Sequence, residues 1–382
     1  MKSWYNIFKG NVPDFDLRRG GIMKFIFPID GDVLFTNADG KAFEDGILIN
    51  VSVSCESGRN IAINGVTASE KDGVYTANVY LDAYRNAIEA VDTDSNEIVT
   101  IYVYWFKNGY KTYRFGVDDV IRCFQNIYEH QDEYKSIFDD PFLAIYKELH
   151  EMYGTYVHMH IYYETDDKKF NLSMFPDKYK DEFIANGEWL KFTFHANADH
   201  PDSPYKDATY EQVMREGRLV EKEILRFAGK EVTSNITSQH WANSNLWATR
   251  AFRNLGFRCI DGYFTFDENG DPYVSYYLDK EQTKHVFDRD FWVDNKEDII
   301  FVKDDIVINE VDLDKIDAYM EDISSRQNNC FHYLLIHEQY FYEDYFMYEP
   351  DYKERIFRTV DWCHNHGYKP VTISSIALEE RR

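Results

Sequence analysis

The sequence contains few of the residues that would place it in several common protein classes. Its five cysteines are scattered over 382 residues, and no two of them form a Cys-x-x-Cys pair. An odd, scattered set of cysteines argues against a disulfide framework and against a cysteine-based zinc site. The sequence also has no run of about 18 apolar residues, so we expect no membrane helix.

Positive charge is scarce as well, since 42 Lys and Arg residues face 67 Asp and Glu residues and give a net charge of -25. Such a surface repels phosphate groups, so we expect neither nucleic acid nor a membrane as a partner. A glycine-rich phosphate loop and a Gly-x-Ser-x-Gly elbow are also absent. The first ten residues lack the apolar segment of a signal peptide. We therefore expect a cytoplasmic protein as the sequence stands, or an extracellular one if a leader has been removed.

Aromatic residues are abundant, at 17% of the chain, with 30 Tyr and 28 Phe. Tyr and Trp rings pack against the faces of sugars while their polar tips form hydrogen bonds, but they also fill the interiors of β-rich proteins. Composition alone leaves a sugar-binding role and a packing role open.

The length and the local patterns predict more than one domain. Residues 1–20 indicate an irregular N-terminal arm. Residues 21–108 contain short strands and turns without a helical pattern, which predicts an all-β sandwich. In residues 109–382, strands alternate with helices, which predicts a parallel α/β barrel. The sandwich would then serve as a spacer or as one wall of a cleft.

One stretch of the predicted barrel carries two adjacent carboxylates. The alternating apolar run Tyr113, Phe115, Val117 ends in Asp118 and Asp119, and a helical pattern follows at once. A strand that presents acids at its C-terminal end is typical of catalytic α/β proteins. Because consecutive strand residues point to opposite sides, the two acids can take different roles. The alternative is that they cap the following helix.

Three other predicted strands end in a histidine, namely His195, His240 and His337. In a parallel barrel the C-terminal strand ends meet on one face, so these side chains would converge with the two acids. Two or three histidines with one carboxylate form the ligand set of a hydrolytic divalent metal, above all Zn²⁺, with one position open for water. A single histidine of this kind is commonly structural, but the recurrence on several strands favours a metal site.

Several segments resemble the polysaccharide deacetylases, the fourth family of carbohydrate esterases. Phe115–Asp119 is similar to the family's Thr-Phe-Asp-Asp-Gly motif, and His195 with His200 is similar to its His-(Ser/Thr)-x-x-His motif. Leu334–His337 is similar to its Leu-x-x-His motif, and Gly367–Val371 to its last strand. The resemblance covers about residue 110 to the C-terminus and implies a distorted (β/α)7 barrel.

The resemblance also implies roles for individual residues. Asp118 would be the catalytic base, Asp119 and His195 would bind the metal, and His337 would be the catalytic acid. The third metal ligand stays open between two histidines. His200 follows His195 by five residues, where the family has four, and it lies in a polar loop before a proline, so His240 is its rival.

Other segments depart from the family or lie outside it. Val120 stands where the motif has glycine, and no Arg-x-Pro-Tyr motif is evident, so Arg250 or Arg253 would supply a cation. His158 and His160 share one strand face and are predicted to pack in the core. The turns Pro28–Gly31 and others in the N-terminal region resemble the immunoglobulin-like modules of bacterial carbohydrate enzymes.

Together, the residues and the resemblance predict a metal-dependent hydrolase that removes acetyl groups from a carbohydrate, with Zn²⁺ as the favoured divalent metal. Two alternatives remain open. One is a non-catalytic carbohydrate-binding protein built on the same barrel. The other is a glycoside hydrolase in which Asp118 works with a distant acid.

Overall fold

The protein has a mixed α/β structure, as the sequence predicts. It is represented by a computed structural model that describes residues 23–326 and 330–378. The predicted arm of residues 1–20 lies outside this range. In the described part of the chain, no helix is long and apolar enough to cross a membrane.

The first part of the chain forms two sheets that face each other. Its strands are β1 (Lys24–Phe27), β2 (Val33–Phe35), β3 (Gly40–Ala42), β4 (Ile47–Ser54), β5 (Ile61–Ile63), β6 (Val66–Thr67), β7 (Ser69–Lys71), β8 (Val74–Leu81), β9 (Arg85–Asp92) and β10 (Glu97–Phe106). One sheet has the order β1-β4-β8-β7 with β3 on β4, and the other has the order β2-β10-β9-β5-β6. Every second residue of β4 is buried between the sheets, which explains its β-branched alternation.

The second part of the chain alternates strands with helices. Its strands are β11 (Thr112–Val120), β12 (Val157–Tyr162), β13 (Leu190–Ala196), β14 (Ile236–Ser238), β15 (Cys259–Gly262), β16 (Thr265–Phe266), β17 (Pro272–Tyr273), β18 (Phe291–Asp294), β19 (Ile299–Lys303), β20 (Ile306–Val307), β21 (Phe331–His337) and β22 (Lys369–Pro370). Its helices are α1 (Arg122–Glu129), α2 (Pro141–Tyr153), α3 (Lys180–Asn186), α4 (Tyr210–Phe227), α5 (Leu246–Leu255), α6 (Lys280–Arg289), α7 (Ile316–Ser324) and α8 (Tyr352–Asn365).

The strands of this second part pair in two sheets. The larger has the order β13-β12-β11-β21-β20, with β22 on β11, and all its pairs are parallel. The smaller has the order β14-β15-β19-β18, in which only the β18–β19 pair is antiparallel. The strand β11 lies in the middle of the larger sheet, and all nine of its residues are buried. Gly116 is required there because a Cβ atom would lie 2.5 Å from the hydroxyl of Tyr333.

Local capping residues mark the ends of α4 and α5. Asn245 caps α5 by accepting a hydrogen bond from the backbone N–H of Ala248 at 3.0 Å, and Gly256 closes the helix with φ 110°. Thr209 caps α4 in the same way. These two caps fix where α4 and α5 begin.

The two-sheet region packs against the starts of the parallel strands. Phe35 and Phe106 share a hydrophobic cluster with Ile236, Cys259 and Phe331, the first residues of β14, β15 and β21. Because the predicted catalytic residues lie at the opposite, C-terminal ends of the strands, this contact does not place the two-sheet region at the candidate site.

Glu338 joins the end of β21 to the start of α1. Its buried carboxylate accepts hydrogen bonds from the backbone N–H groups of Ile121 and Arg122 through Oε2 and of Cys123 through Oε1, each at 2.7 Å. The first N–H groups of a helix have no partner within the helix, and the negative charge suits the positive end of the helix dipole. Glu338 therefore caps α1 from a distant part of the chain.

We expect the substitution Glu338→Gln to destabilise the fold. The amide keeps one acceptor oxygen and turns an NH₂ group towards a buried N–H, which costs about 1–3 kcal/mol in the free energy of unfolding. Urea unfolding of both proteins measures the difference, and Glu343→Gln is the matched control because Glu343 is exposed. Equal stability of the Glu338→Gln variant and the control would contradict this role for Glu338.

Candidate functional site

The strand ends bring most of the predicted residues together. Asp118 and Asp119 lie at the end of β11, and His195 lies near the end of β13. His337 ends β21, where it is paired in register with Asp118. His240 lies two residues beyond β14, in a short 3-10 helix. The side chains of Asp118, Asp119, His195 and His240 are all buried.

The pleat of β11 breaks at Asp119. The register with β12 shifts between Val117 and Val120, and Asp119 has φ 64° in the left-handed region. A β-bulge of this kind redirects a side chain and is common beside active sites. As a result both acids lie within 4 Å of His195, although consecutive residues of a regular strand would point to opposite sides.

Three potential metal donors converge in this group. The distances are 3.1 Å from Asp119 Oδ1 to His195 Nε2, 3.2 Å from Asp119 Oδ1 to His240 Nδ1, and 3.2 Å from His195 Nε2 to His240 Nδ1. Zinc at 2.0–2.1 Å from each donor of a tetrahedral site would separate two donors by about 3.3–3.4 Å. The triangle in the structure is within about 0.3 Å of that size, so these donors fit a tetrahedral metal.

Two backbone carbonyls fix which nitrogen of each histidine faces the triangle. His195 Nδ1 donates to the carbonyl of Ser238 at 2.6 Å, and His240 Nε2 donates to the carbonyl of Asp199 at 2.9 Å. A carbonyl can only accept, so each of these nitrogens carries a proton. In a neutral ring the other nitrogen then has a lone pair, which points towards the triangle, as in the outer shell of a metal-binding histidine.

Asp119 is held by two further side chains. The amide of Gln339 donates to Asp119 Oδ2 at 2.6 Å. The hydroxyl of Tyr162 donates to Asp119 Oδ1 and lies 2.9 Å from His240 Nδ1. Burial and then the charge of Asp119 raise the pKa of Tyr162 well above its ordinary value, so the phenol stays a proton donor. Both oxygens of Asp119 are thereby oriented.

The negative charges of Asp118 and Asp119 and a positive charge on His195 stabilise one another. Burial raises the pKa of Asp119, but the hydrogen bonds from His195 and His240 outweigh it and hold that pKa well below the usual range. Burial lowers the pKa of His195, yet the charges of Asp118 and Asp119 prevail and raise it to about 9. Without a metal, a proton on His195 neutralises part of the carboxylate charge.

Asp118 has a separate set of partners. Its Oδ1 accepts from His160 Nδ1 at 2.5 Å and its Oδ2 accepts from the hydroxyl of Ser238 at 2.9 Å, while His195 Nε2 lies 3.9 Å from Oδ2. The guanidinium of Arg114 donates to His160 Nε2 at 3.1 Å. Since arginine cannot accept, His160 carries its proton on Nδ1 and donates it to Asp118. Burial opposes the ionisation of Asp118, but His195 and His160 hold its pKa well below the usual range.

His337 is half-buried, and its orientation is set by Asn309. Its backbone N–H and its Nδ1 donate to Asn309 Oδ1 at 3.2 Å and 2.9 Å. With Nδ1 used in this way, Nε2 is the nitrogen available for proton transfer. His337 lies close enough to Asp118 and Asp119 to lower the pKa of both.

His200 belongs to a different group. Its side chain is exposed, and its Nδ1 pairs with Asp166 Oδ2 at 2.6 Å and lies 3.6 Å from Asp199 Oδ2. The hydrogen bond to Asp166 raises the pKa of His200. Of the two rivals from the sequence, the structure therefore brings His240, and not His200, to Asp119 and His195.

The two arginines considered as cations lie elsewhere. Arg250 pairs with Glu297 at 2.7 Å, and Arg253 pairs with Asp298 at 2.5 Å. Both line a cavity of about 820 Å³ at α4 and α5, and none of the three donors lines it. Arg114 is a buried cation that reaches the candidate site through His160.

Several residues of the candidate site are not among those that the sequence predicts. The sequence predicts that His160 packs in the core, and it is buried there, but it also donates a hydrogen bond to Asp118. Tyr162 lies two residues further along the same face of β12, so the alternation of His158, His160 and Tyr162 was the signal that could have found them. Ser238 and Gln339 each lie next to or near a predicted histidine, but nothing in their sequence context marks them.

Comparison with known proteins gives distant structural likenesses. No family model matches the sequence, and no curated protein matches it either. The structure is similar to a 4-alpha-glucanotransferase from Thermococcus litoralis, with TM-score 0.46 and 15% identity over 71% of this chain. The chain spans 40% of the length of that protein.

Carbohydrate deacetylases and esterases are among the similar structures. A CE4 esterase from Streptococcus mutans has TM-score 0.37 and 9% identity, over 69% of this chain and 86% of the esterase. The carbohydrate deacetylase Agd3 has TM-score 0.34 and 7% identity, over 81% of this chain and 65% of Agd3. At these scores and identities the likeness carries no conclusion about the activity of this chain.

Proposed function

We propose that the protein is a metal-dependent hydrolase that removes acetyl groups from a carbohydrate. The observation that carries the proposal is the triangle of Asp119, His195 and His240, with edges of 3.1–3.2 Å and with each histidine oriented by a backbone carbonyl. One carboxylate and two imidazoles form the donor set of catalytic zinc sites, which keep a fourth position open.

Asp119, His195 and His240 would hold the metal, and Zn²⁺ suits these donors best. When bound, the metal supplies a Lewis acid that polarises the acyl carbonyl and lowers the pKa of a water molecule. Gln339 supports the three metal donors because its amide donates to Asp119 Oδ2, the oxygen outside the triangle, and so orients the carboxylate.

Asp118 is the proposed general base. It is ionised, it lies beside the donors without being one of the three, and His160 and Ser238 hold its carboxylate in place. It accepts the proton that water loses as the new C–O bond to the acyl carbon forms. This role differs from that of Asp119, which contacts both histidines of the triangle.

His337 is the proposed general acid. Its Nδ1 is fixed on Asn309, so a protonated Nε2 donates to the leaving amine as the C–N bond breaks. The parallel register places His337 beside Asp118 at the ends of neighbouring strands. The proton removed by Asp118 and the proton given by His337 balance the hydrolysis of the amide.

The finer architecture belongs to the same proposal. The strands β11, β12, β13, β14, β15, β19–β20 and β21 would form a distorted seven-stranded barrel over residues 109–382. Two features support this: Thr237 Oγ1 in β14 donates to the carbonyl of Phe194 in β13, and the chain passes directly from β19 in one sheet to β20 in the other. Residues 21–108 would then form an immunoglobulin-like sandwich.

The donor set predicts which substitutions remove the metal. His195→Ala and His240→Ala should each lower zinc affinity by about 100-fold or more, because losing a ligand costs at least as much as losing an outer-shell partner. His200→Ala should bind zinc as the wild type does. Titration of purified protein with zinc, followed by elemental analysis, measures this. Loss of zinc in His200→Ala together with normal binding in His240→Ala would reverse the assignment.

Substituting the two acids should impair the protein in different ways: turnover in one case and metal affinity in the other. Asp118→Asn keeps the size of the side chain and loses the proton acceptor, so metal content should persist while turnover falls by about 100-fold or more. Asp119→Asn removes a charged ligand, so metal affinity should fall first and excess zinc should restore part of the activity.

Turnover of acetylated chito-oligosaccharides and zinc content are measured for both variants and the wild type. Equal metal loss in both variants would contradict the separate roles, as would wild-type turnover in Asp118→Asn. A wild-type protein that binds zinc and saccharide but hydrolyses no acetylated sugar would favour the binding-protein alternative.

A further inference from the structure

Arg114 is a buried cation in the strand that carries the two acids. It lies on β11, four residues before Asp118, and only 2% of it is exposed. A buried charge is costly unless its partners compensate it. The partners of Arg114 therefore indicate what the residue does.

An acidic and an aromatic side chain hold one side of the guanidinium group. Arg114 Nη1 lies 3.4 Å from Asp261 Oδ1, and Arg114 Cζ lies 4.3 Å from the centre of the Tyr333 ring. The hydroxyl of Tyr333 in turn donates to Asp261 Oδ2. These contacts compensate the charge and fix the plane of the guanidinium group.

The other terminal nitrogen of Arg114, Nη2, donates to two histidines of β12. It lies 2.9 Å from His158 Nδ1 and 3.1 Å from His160 Nε2. Because arginine has no acceptor, each of these ring nitrogens presents a lone pair, and each neutral ring carries its proton on the opposite nitrogen. His158 Nε2 then donates to Thr193 Oγ1 at 3.0 Å. His160 Nδ1 donates to Asp118 Oδ1 at 2.5 Å.

The two histidines differ in the group that each one contacts beyond Arg114. His158 contacts a hydroxyl of β13, whereas His160 contacts the proposed base. A buried arginine that only stabilises the fold would pair with Asp261, but this pairing does not require Nη2 to face the two rings. With the opposite tautomer, the lone pair of His160 Nδ1 would face Asp118 Oδ1 and repel the carboxylate. The donation from Arg114 thus decides whether His160 holds Asp118 or repels it.

We propose that Arg114 is a positioning residue for the reaction: it holds His160 in the tautomer that donates to Asp118 and so aligns this carboxylate for proton transfer. The inference rests on the proposed function, in which Asp118 is the general base. It deepens that function by adding a residue that acts only through another side chain.

Nitrogen NMR of the full chain, with isotope-labelled histidine, tests the tautomer without requiring turnover. In the wild type, His160 should carry its proton on Nδ1 and accept a hydrogen bond on Nε2. Arg114→Lys keeps a positive charge for Asp261 but lacks the planar fork, so His160 should no longer be held in one tautomer. A wild-type His160 that carries a proton on Nε2, alone or together with Nδ1, would overturn the inference.

Turnover tests the consequence for the base. Arg114→Lys should lower kcat by about tenfold or more, because the hydrogen bond to the charged carboxylate is impaired, and should leave KM and zinc content within about twofold. His160→Asn provides the reference background, since an amide nitrogen donates to Asp118 without any choice of tautomer. Adding Arg114→Lys to His160→Asn should change kcat by less than about twofold.

His158→Asn is the matched control. It replaces the other histidine that faces the same nitrogen of Arg114 and that has no printed role at Asp118, so Arg114→Lys should still lower kcat by about tenfold in this background. The melting temperature of each variant shows whether it is folded. If Arg114→Lys does not fold, the wild-type tautomer of His160 alone decides.

An equal effect of Arg114→Lys on kcat in the wild-type and His160→Asn backgrounds would overturn the inference, because Arg114 would then act by another route. Wild-type kcat in folded Arg114→Lys would overturn it as well. Zinc content and wild-type turnover separate this inference from the proposed function. Either of these results with an active, zinc-bound wild type contradicts the role of Arg114 alone, whereas a zinc-bound wild type without turnover contradicts both.

Discussion

The left-handed turn of Asp119 is the constraint on which the rest of the candidate site depends. In a regular strand, Asp118 and Asp119 would face opposite sides, and only one of them could reach the histidines. The bulge between Val117 and Val120 turns both towards the site and lets one strand supply two different carboxylates. The cost of this conformation, about 1–3 kcal/mol, is offset by hydrogen bonds to both oxygens of Asp119.

Buried hydrogen bonds hold each carboxylate in its own place. Asp118 accepts a hydrogen bond from His160 Nδ1. Arg114 donates to the other ring nitrogen of His160, Nε2, and thereby keeps the proton of the ring on Nδ1. Glu338, which follows His337, accepts hydrogen bonds from the backbone N–H groups of residues 121–123, just after the two acids. These bonds connect the end of β21 to the end of β11. Buried charges of this kind are stable only when fully paired, so the network fixes one arrangement of the strand ends.

The sequence predicts the class of the fold and most of the acidic and histidine positions, because strand alternation and strand ends can be read from apolar periodicity. It could not decide between His200 and His240, because the spacing of residues along a loop does not give the path of the chain across the fold. His160 lies in the middle of β12 and satisfies the same pattern as a core residue. Its contact with Asp118 depends on the register of β11 with β12, which local sequence does not specify.

The central claim is that Asp119, His195 and His240 form a metal site. Anomalous diffraction at the zinc edge, from crystals of the full chain grown with zinc, tests it most directly. If these residues hold the metal, one strong peak lies within about 2.0–2.2 Å of Asp119 Oδ1, His195 Nε2 and His240 Nδ1. A peak bound by Asp166, Asp199 and His200 instead, with none at the triangle, would contradict it.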